Sequence, residues 1–260
     1  MGEVGRAEGL TSALGIGAKE HLVLVGGGGK TSLCFALAEA LQRAGGHVIT
    51  TTTTKVWQRE AIRAPRVVYY ASGLLPVDHV KEEIKATGHV FVGVRPLASG
   101  KVEGIPGETA DLLFRDHEID YVIAEADGAQ GRPLKAPASH EPVIPSSATL
   151  VIAVIGLEAL GKPLSPETVF RLEQFKAITD LDTRAMITPQ ALATLLHSPD
   201  GPFRGTPASA RRIVFLNKSD LLSNEQDAVS LARLLTEVRC RAIRRVIIGS
   251  LLNRTYVTFD

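Results

Sequence analysis

The chain has 260 residues, a formal charge of +1, 45% hydrophobic residues and 22% charged residues, the balance of a folded globular protein rather than a disordered or fibrous one. That length can bury a substantial core in one large α/β domain, and the near-zero charge supplies no global basic field of the kind that argues for nucleic acid. Cys34 and Cys240 are the two cysteines, so a disulfide framework and a cysteine-rich metal site are both disfavoured.

The amino-terminal stretch MGEVGRAEGLTSALGIG has acidic residues and glycines and lacks the cationic head and apolar core of a signal peptide. The longest apolar strand candidate, around Val151 to Ile155, is far too short to span a bilayer, so a cytoplasmic location without a membrane partner is expected. Leu22 to Val25 has the character of a buried parallel strand. Glycines follow it, and Thr31 to Arg43 reads as a helix burying Leu33, Phe35, Leu37, Ala38 and Leu41. Gly45 and Gly46 stop that helix before the next strand begins at Val48 and Ile49.

Arg66 to Tyr70 is a further short strand candidate, and Asp78 to Ala86 a helix ending before Gly88. His89 to Val94 and Lys101 to Glu103 suggest a β-hairpin or edge insertion over about 88–106. Tyr121 to Ala124, Leu150 to Ile155, Ile213 to Leu216 and Val246 to Ile248 read as buried strands, with Asp227 to Val238 a helix before the last. Isolated apolar strands alternating with longer connections predict a three-layer α/β/α fold with a predominantly parallel sheet, a single domain over 1–260. The Gly- and Pro-rich stretches Asp127 to Ser147 and His197 to Pro207 are expected to be surface loops.

The segment VGGGGKT carries the strongest chemical signal. Backbone N–H groups of Gly26, Gly27, Gly28 and Gly29 are expected to face phosphate oxygens. Lys30 would neutralise the outer phosphates, and Thr31 would hold magnesium where the helix begins, with Ser32 beside it in the first turn. Leu24 stands where the long G-x-x-x-x-G-K-T pattern has its first glycine. The shorter G-x-x-G-K-T form at Gly26 to Thr31 resembles the loop of Mur-ligase nucleotide-binding domains.

Other candidates follow strand ends, where an open parallel sheet binds its ligands. Thr53 and Lys55 close the run TTTTTK, whose threonines equally suit a strand as β-branched residues. Glu125 and Asp127 follow the strand at Tyr121; one or both would hold magnesium or position a water, with Asp127 preferred, unless they cap the turn or pair with Arg132. Lys30, Glu125 and Asp127 form the candidate catalytic set. Asn217, Lys218 and Asp220 in LNKSD resemble the guanine-recognition motif of GTPases, favouring GTP over ATP as the nucleoside triphosphate, against the plainer reading of a turn cap.

Together, VGGGGKTSL at Val25 to Leu33, TTTTTK at Thr50 to Lys55, EADGAQGRPLKAP at Glu125 to Pro137, HEPVIP at His140 to Pro145 and LNKSD at Leu216 to Asp220 resemble the YqeC family. That resemblance implies a P-loop accessory protein in maturation of a selenium-dependent molybdenum hydroxylase, with the hydroxylase or its cofactor machinery as partner. Within it, Arg132 and Lys135 suit an anionic group and His140 and Glu141 a polar or metal-facing pair, making a candidate substrate or partner site. The expected function is GTP binding, with hydrolysis resetting a partner-binding conformation. The alternatives are an ATP-dependent ligase or kinase acting on a cofactor precursor and a nonenzymatic metallochaperone or scaffold; a homo-oligomer is compatible with all three.

Overall fold

A computed structural model of the chain describes residues 4–70, 73–222, 224–237 and 243–260. The chain opens with β1 (Val4–Arg6), α1 (Leu10–Leu14), β2 (Glu20–Gly26), α2 (Lys30–Arg43), β3 (Val48–Thr52), β4 (Lys55–Trp57), α3 (Gln58–Ala61), β5 (Arg66–Tyr69) and α4 (Val77–Thr87). It continues through β6 (His89–Gly93), β7 (Arg95–Pro96), β8 (Lys101–Glu103), α5 (Gly107–Arg115), β9 (Tyr121–Glu125), β10 (Leu134–Lys135), β11 (Leu150–Gly156), β12 (Val169–Phe170) and α6 (Leu172–Thr179). The last elements are α7 (Pro189–His197), β13 (Arg211–Asn217), α8 (Glu225–Glu237), β14 (Arg245–Ser250) and β15 (Thr255–Phe259).

Ten strands form one sheet in the order β1-β15-β14-β13-β11-β2-β9-β3-β6-β5. From β14 to β5 every neighbouring pair is parallel, while β15 and β1 add antiparallel edge pairs. Strands β2 and β11 are buried along their full length, which is why they read as unbroken apolar runs rather than as alternation. Alternate residues nevertheless serve different layers. Leu22 and Leu24 pack with Leu33, Leu37 and Leu41 of α2 on one face. Val23 and Val25 pack with Leu192 and Leu195 of α7 and Leu231 of α8 on the other, and α4 and α5 extend that second layer over β3, β6 and β9. The architecture is therefore α/β/α with a mixed, mainly parallel sheet.

His89–Gly93 differs from the expected hairpin arm. It lies inside the main sheet, parallel to both β3 and β5, because its VFVG core is buried on both sides. Within the expected insertion it is β7 and β8 that turn back on each other, and with β4 they form a separate three-stranded antiparallel sheet. Helices α5, α6 and α7 and the edge strand β15 fall where sequence reading found no regular element. The expected helix Asp227 to Val238 is α8, with Val238 outside the described residues. Among the described residues no helix is long and apolar enough to cross a membrane.

Topology concentrates chemistry at one sheet edge. The connection after β2 leads through α2 to β3 on one side, whereas the connection after β9 leads to β11 on the other side of β2. The carboxyl ends of β2, β9 and β11 thus flank a point where the winding reverses, the usual location of a crevice in open α/β sheets.

Candidate functional site

The glycine run leaves β2 by pressing its backbone against neighbouring backbone. Gly26, Gly28 and Gly29 have positive φ values of 93°, 73° and 121°. A Cβ on Gly28 would fall on the backbone of Gly156, at the end of β11, and one on Gly29 would lie 2.6 Å from Nδ2 of Asn217. These contacts account for glycine at positions where a side chain would meet both strain and a clash. The Gly27 N–H donates to the Val154 carbonyl (2.9 Å) and the Gly28 N–H to the Arg132 carbonyl (3.0 Å). The Gly26 N–H donates to Oδ2 of Asp127 (3.1 Å).

Three of the four N–H groups expected to face phosphate are therefore used to fold the loop. Gly29 and the first turn of α2, Lys30, Thr31 and Ser32, are where a helix start leaves its N–H donors without intrahelical acceptors. Gly29 and Thr31 are half-buried and Ser32 is exposed, so these donors sit at the mouth of the loop.

Lys30 is 5% exposed and folds back. Its Nζ donates to the Gly26 carbonyl (2.6 Å) and pairs with Oδ1 of Asp127 (3.1 Å). Asp127 also receives Lys135 at Oδ2 (3.1 Å), and Lys135 in turn meets Oε2 of Glu141 (2.7 Å). Arg171 contacts that same glutamate oxygen (3.0 Å), and Arg204 donates to the Ala138 and Glu141 carbonyls. The result is a buried ionic chain, Lys30–Asp127–Lys135–Glu141–Arg171, with three cations for two carboxylates. It begins at the glycine loop and ends beside the two-stranded sheet of β10 and β12.

Glu125 ends β9 in register with Leu24 of β2, near enough to Lys30 to feel its charge. Burial pushes its carboxyl above the ordinary range, partly opposed by the Lys30 charge and by a hydrogen bond from the Thr31 hydroxyl, while Glu60 and Asp127 add to the rise. Alternation along the strand put both acids in reach of the loop, and sequence reasoning preferred Asp127 on the magnesium side. Asp127 meets two lysines and accepts from the Gly26 N–H, and Glu125 is the acid that accepts from the Thr31 hydroxyl. Burial and the Glu125 charge also raise the Cys34 thiol well above its usual range, which leaves it an inert core residue.

The LNKSD segment reaches the same edge. Asn217 ends β13 in register with Gly156; its Nδ2 donates to the Gly28 carbonyl (2.9 Å) and its Oδ1 accepts from the Leu251 N–H (3.4 Å). Asn217 thereby ties the glycine loop to the turn after β14. Lys218 adopts a left-handed backbone (φ 66°), and its ammonium pairs with Oε1 of Glu158. Asp220 is exposed on the short 3-10 turn Ser219–Leu221.

The remaining candidates separate. The Thr53 N–H donates to the Glu125 carbonyl (2.9 Å) and its hydroxyl to the Val143 carbonyl (2.8 Å), so Thr53 braces the site from behind. Thr50, Thr51 and Thr52 spend their hydroxyls inside the sheet on His89, Val92 and Glu125. Lys55 is exposed on β4, opposite Glu103 in the small sheet. Arg132 donates from Nε to the Pro166 carbonyl (2.6 Å) rather than to either acid. His140 and Glu141 do not form the expected polar pair: Glu141 turns inward to Lys135, while His140 is exposed. Among the described residues no group of three or more His, Cys, Asp or Glu side chains is arranged to hold a metal ion.

Two participants were missed. Glu158 stands two residues beyond the end of β11, the same position relative to a strand that drew attention to Asp127, and reading β11 in that way would have found it. Arg171 carries no local signal, since it meets Glu141 only through the tertiary fold.

The family profile described as YqeC protein matches residues 22–173, a span that includes the glycine loop, both acids, Lys135, Glu141 and Arg171. The uncharacterized protein YqeC of Escherichia coli (strain K12) is 36% identical over 234 residues, covering 88% of this chain and 86% of that protein. Among solved structures, chloroplast FtsY from Physcomitrella patens aligns with a TM-score of 0.41 and 13% identity, over 90% of this chain and 60% of the FtsY chain. At that score and identity nothing about function follows. With the profile spanning more than half of the chain and a full-length relative above 30% identity, the chain belongs to the YqeC family.

Proposed function

We propose that this protein binds a nucleoside triphosphate, GTP in preference to ATP, and hydrolyses it as an accessory factor in maturation of a selenium-dependent molybdenum hydroxylase. The observation that carries the nucleotide reading is convergence: the glycine loop with Lys30 and Thr31, Glu125 and Asn217 come from three strand ends, those of β2, β9 and β13, to one edge of the sheet. In this reading the terminal phosphates rest on the N–H groups of Gly29 to Ser32. Lys30 turns from Asp127 to the phosphate, and Lys218 and Asp220 flank the base. Thr31 and Glu125 would hold magnesium through hard oxygen ligands, and a bound cation would offset the burial that raises the Glu125 carboxyl. Bound there, the metal would neutralise charge developing on the transferred phosphoryl group. The hydroxylase partnership rests on the family resemblance alone.

The buried ionic chain favours a switching role over a ligase or kinase role. A phosphate that draws Lys30 from Asp127 changes the charge balance felt by Lys135, Glu141 and Arg171, and so reaches β10, β12 and α6 without a second substrate. Parallel calorimetric titrations with GTP and ATP in magnesium test the base assignment. Asp220→Ala is expected to weaken GTP by roughly 2 kcal/mol and ATP little, as for a lost hydrogen bond to a charged group. Lys30→Ala is expected to weaken both. Equal weakening of the two nucleotides by Asp220→Ala in a folded protein would rule out guanine recognition by this residue, and no binding of either nucleotide by the unaltered protein would remove the nucleotide reading itself.

A further inference from the structure

At the end of the sheet opposite the glycine loop, the first residues of β13 and β14 line a cavity of about 780 Å³, a volume in the range of small-molecule sites. Four arginines reach it: Arg211, Arg212, Arg244 and Arg245. Two are already committed. Arg211 pairs with Glu20 and donates to the Gly15 carbonyl (2.9 Å). Arg245 grips both carboxylate oxygens of Asp260 (2.5 and 2.8 Å) and donates to the Ala13 carbonyl (3.1 Å).

Arg212 and Arg244 are different. Strand alternation turns them to the sheet face opposite that of Arg211 and Arg245. Since Ile213 pairs with Arg245 in the parallel ladder, Arg212 and Arg244 stand side by side, and the Arg244 N–H donates to the Arg212 carbonyl (2.8 Å). The Arg212 guanidinium lies 5.9 Å from the centre of the Phe203 ring. Among the described residues neither guanidinium has a carboxylate within ion-pairing distance, whereas Arg211 and Arg245 each have one. Like charges on adjacent strands repel, so an anion between them would be stabilising twice over, by neutralising each and by relieving their repulsion.

We propose that this cavity binds a phosphate-bearing small molecule, with Arg212 and Arg244 as paired guanidinium donors and Ala210 and Ile243 as the apolar wall for its organic part. Guanidinium forks match the geometry of phosphate oxygens. The concave shape and the absence of a global basic field favour a small molecule over a nucleic acid. The site is separate from the glycine loop: Arg212 and Asn217 lie five residues apart on β13, roughly 17 Å at the rise of a parallel strand.

The probe is inorganic pyrophosphate, titrated calorimetrically into the full-length Lys30→Ala protein so that the glycine loop contributes little. One pyrophosphate per chain is expected, and Arg212→Met with Arg244→Met should weaken it at least tenfold. Arg244→Met alone, at an exposed side chain, should weaken it at least threefold and serves if the double variant is unstable. In the unaltered background the same substitutions should leave GTP affinity within twofold, so a failure of nucleotide binding and a failure of this site remain distinct results. No binding to Lys30→Ala, or binding indifferent to both arginines, would overturn the proposal. So would displacement of pyrophosphate by single-stranded RNA in a strongly salt-dependent manner, which would identify a polyanion surface instead.

Discussion

Asp127 is the residue on which the candidate site closes, because it alone separates two buried ammonium groups, Lys30 at 5% exposure and Lys135 at 1%. Removing one partner of a buried ion pair leaves the other charge uncompensated, which costs about 3–5 kcal/mol. Asp127→Ala should therefore lower stability by that amount in urea denaturation, whereas Thr31→Ala, at a half-buried hydroxyl, should cost about 1 kcal/mol. An Asp127→Ala midpoint equal to that of the unaltered protein would show that the lysines find other partners. If Asp127→Ala is destabilised as expected, lost nucleotide binding in it would report unfolding as much as chemistry, so Thr31 and Glu125 are the better probes of the proposed magnesium site. At this scale the sequence was informative where a motif set the residue type, as at Lys30, Asn217 and Asp127. It was silent on Arg171 and on Lys135 facing inward, because the 127–147 stretch reads as a polar surface loop until its charges are seen to pair with one another.

At the scale of elements, the glycine loop and the end of β11 form one packed unit. Gly28→Ala would place a methyl group on the Gly156 backbone at a φ of 73°, combining overpacking with left-handed strain, about 3 kcal/mol or more together. Gly45→Ala is the matched control: its φ is 89° but nothing lies within 4 Å of the added carbon, so only the strain, about 1 kcal/mol, should appear. Urea midpoints of the two variants measure the difference, and equal losses would mean that β11 yields to the loop. The strands that build this unit were legible because burial on both faces leaves apolar runs at Leu22, Tyr121, Leu150 and Ile213. The same property misleads at His89, where a run buried on both faces reads as the arm of an edge hairpin. Helix α7, absent from the sequence expectations, does carry a local signal in Thr188, which caps through its hydroxyl, and Pro189 at the first position, but its connection to the core through Leu192 and Leu195 is visible only in the packed layers.

Across the whole molecule, two buried histidines tie stability to pH on the acid side. Burial lowers His21 of β2 to about 4 despite the opposing charge of Asp111, and lowers His89 of β6 to about 4 beside the Thr50 hydroxyl. Both are neutral in the fold, while the unfolded chain takes up protons near 6.5. Their depressed values make stability fully present above pH 6.5 and progressively lost as pH falls toward 4, on the order of 3 kcal/mol for each histidine. Urea midpoints at pH 7.5, 6 and 5 should fall in that order, and less steeply for His89→Gln; a flat profile in the unaltered protein would mean that the buried rings do not govern it. The pairing of Lys30 with Asp127 has a consequence of another kind. The loop is internally neutralised before any ligand arrives, so an incoming anion does not fill a vacant positive socket but must outbid a resident carboxylate. Entry at this edge is a partner exchange, and whatever wins it leaves Asp127 to its second lysine.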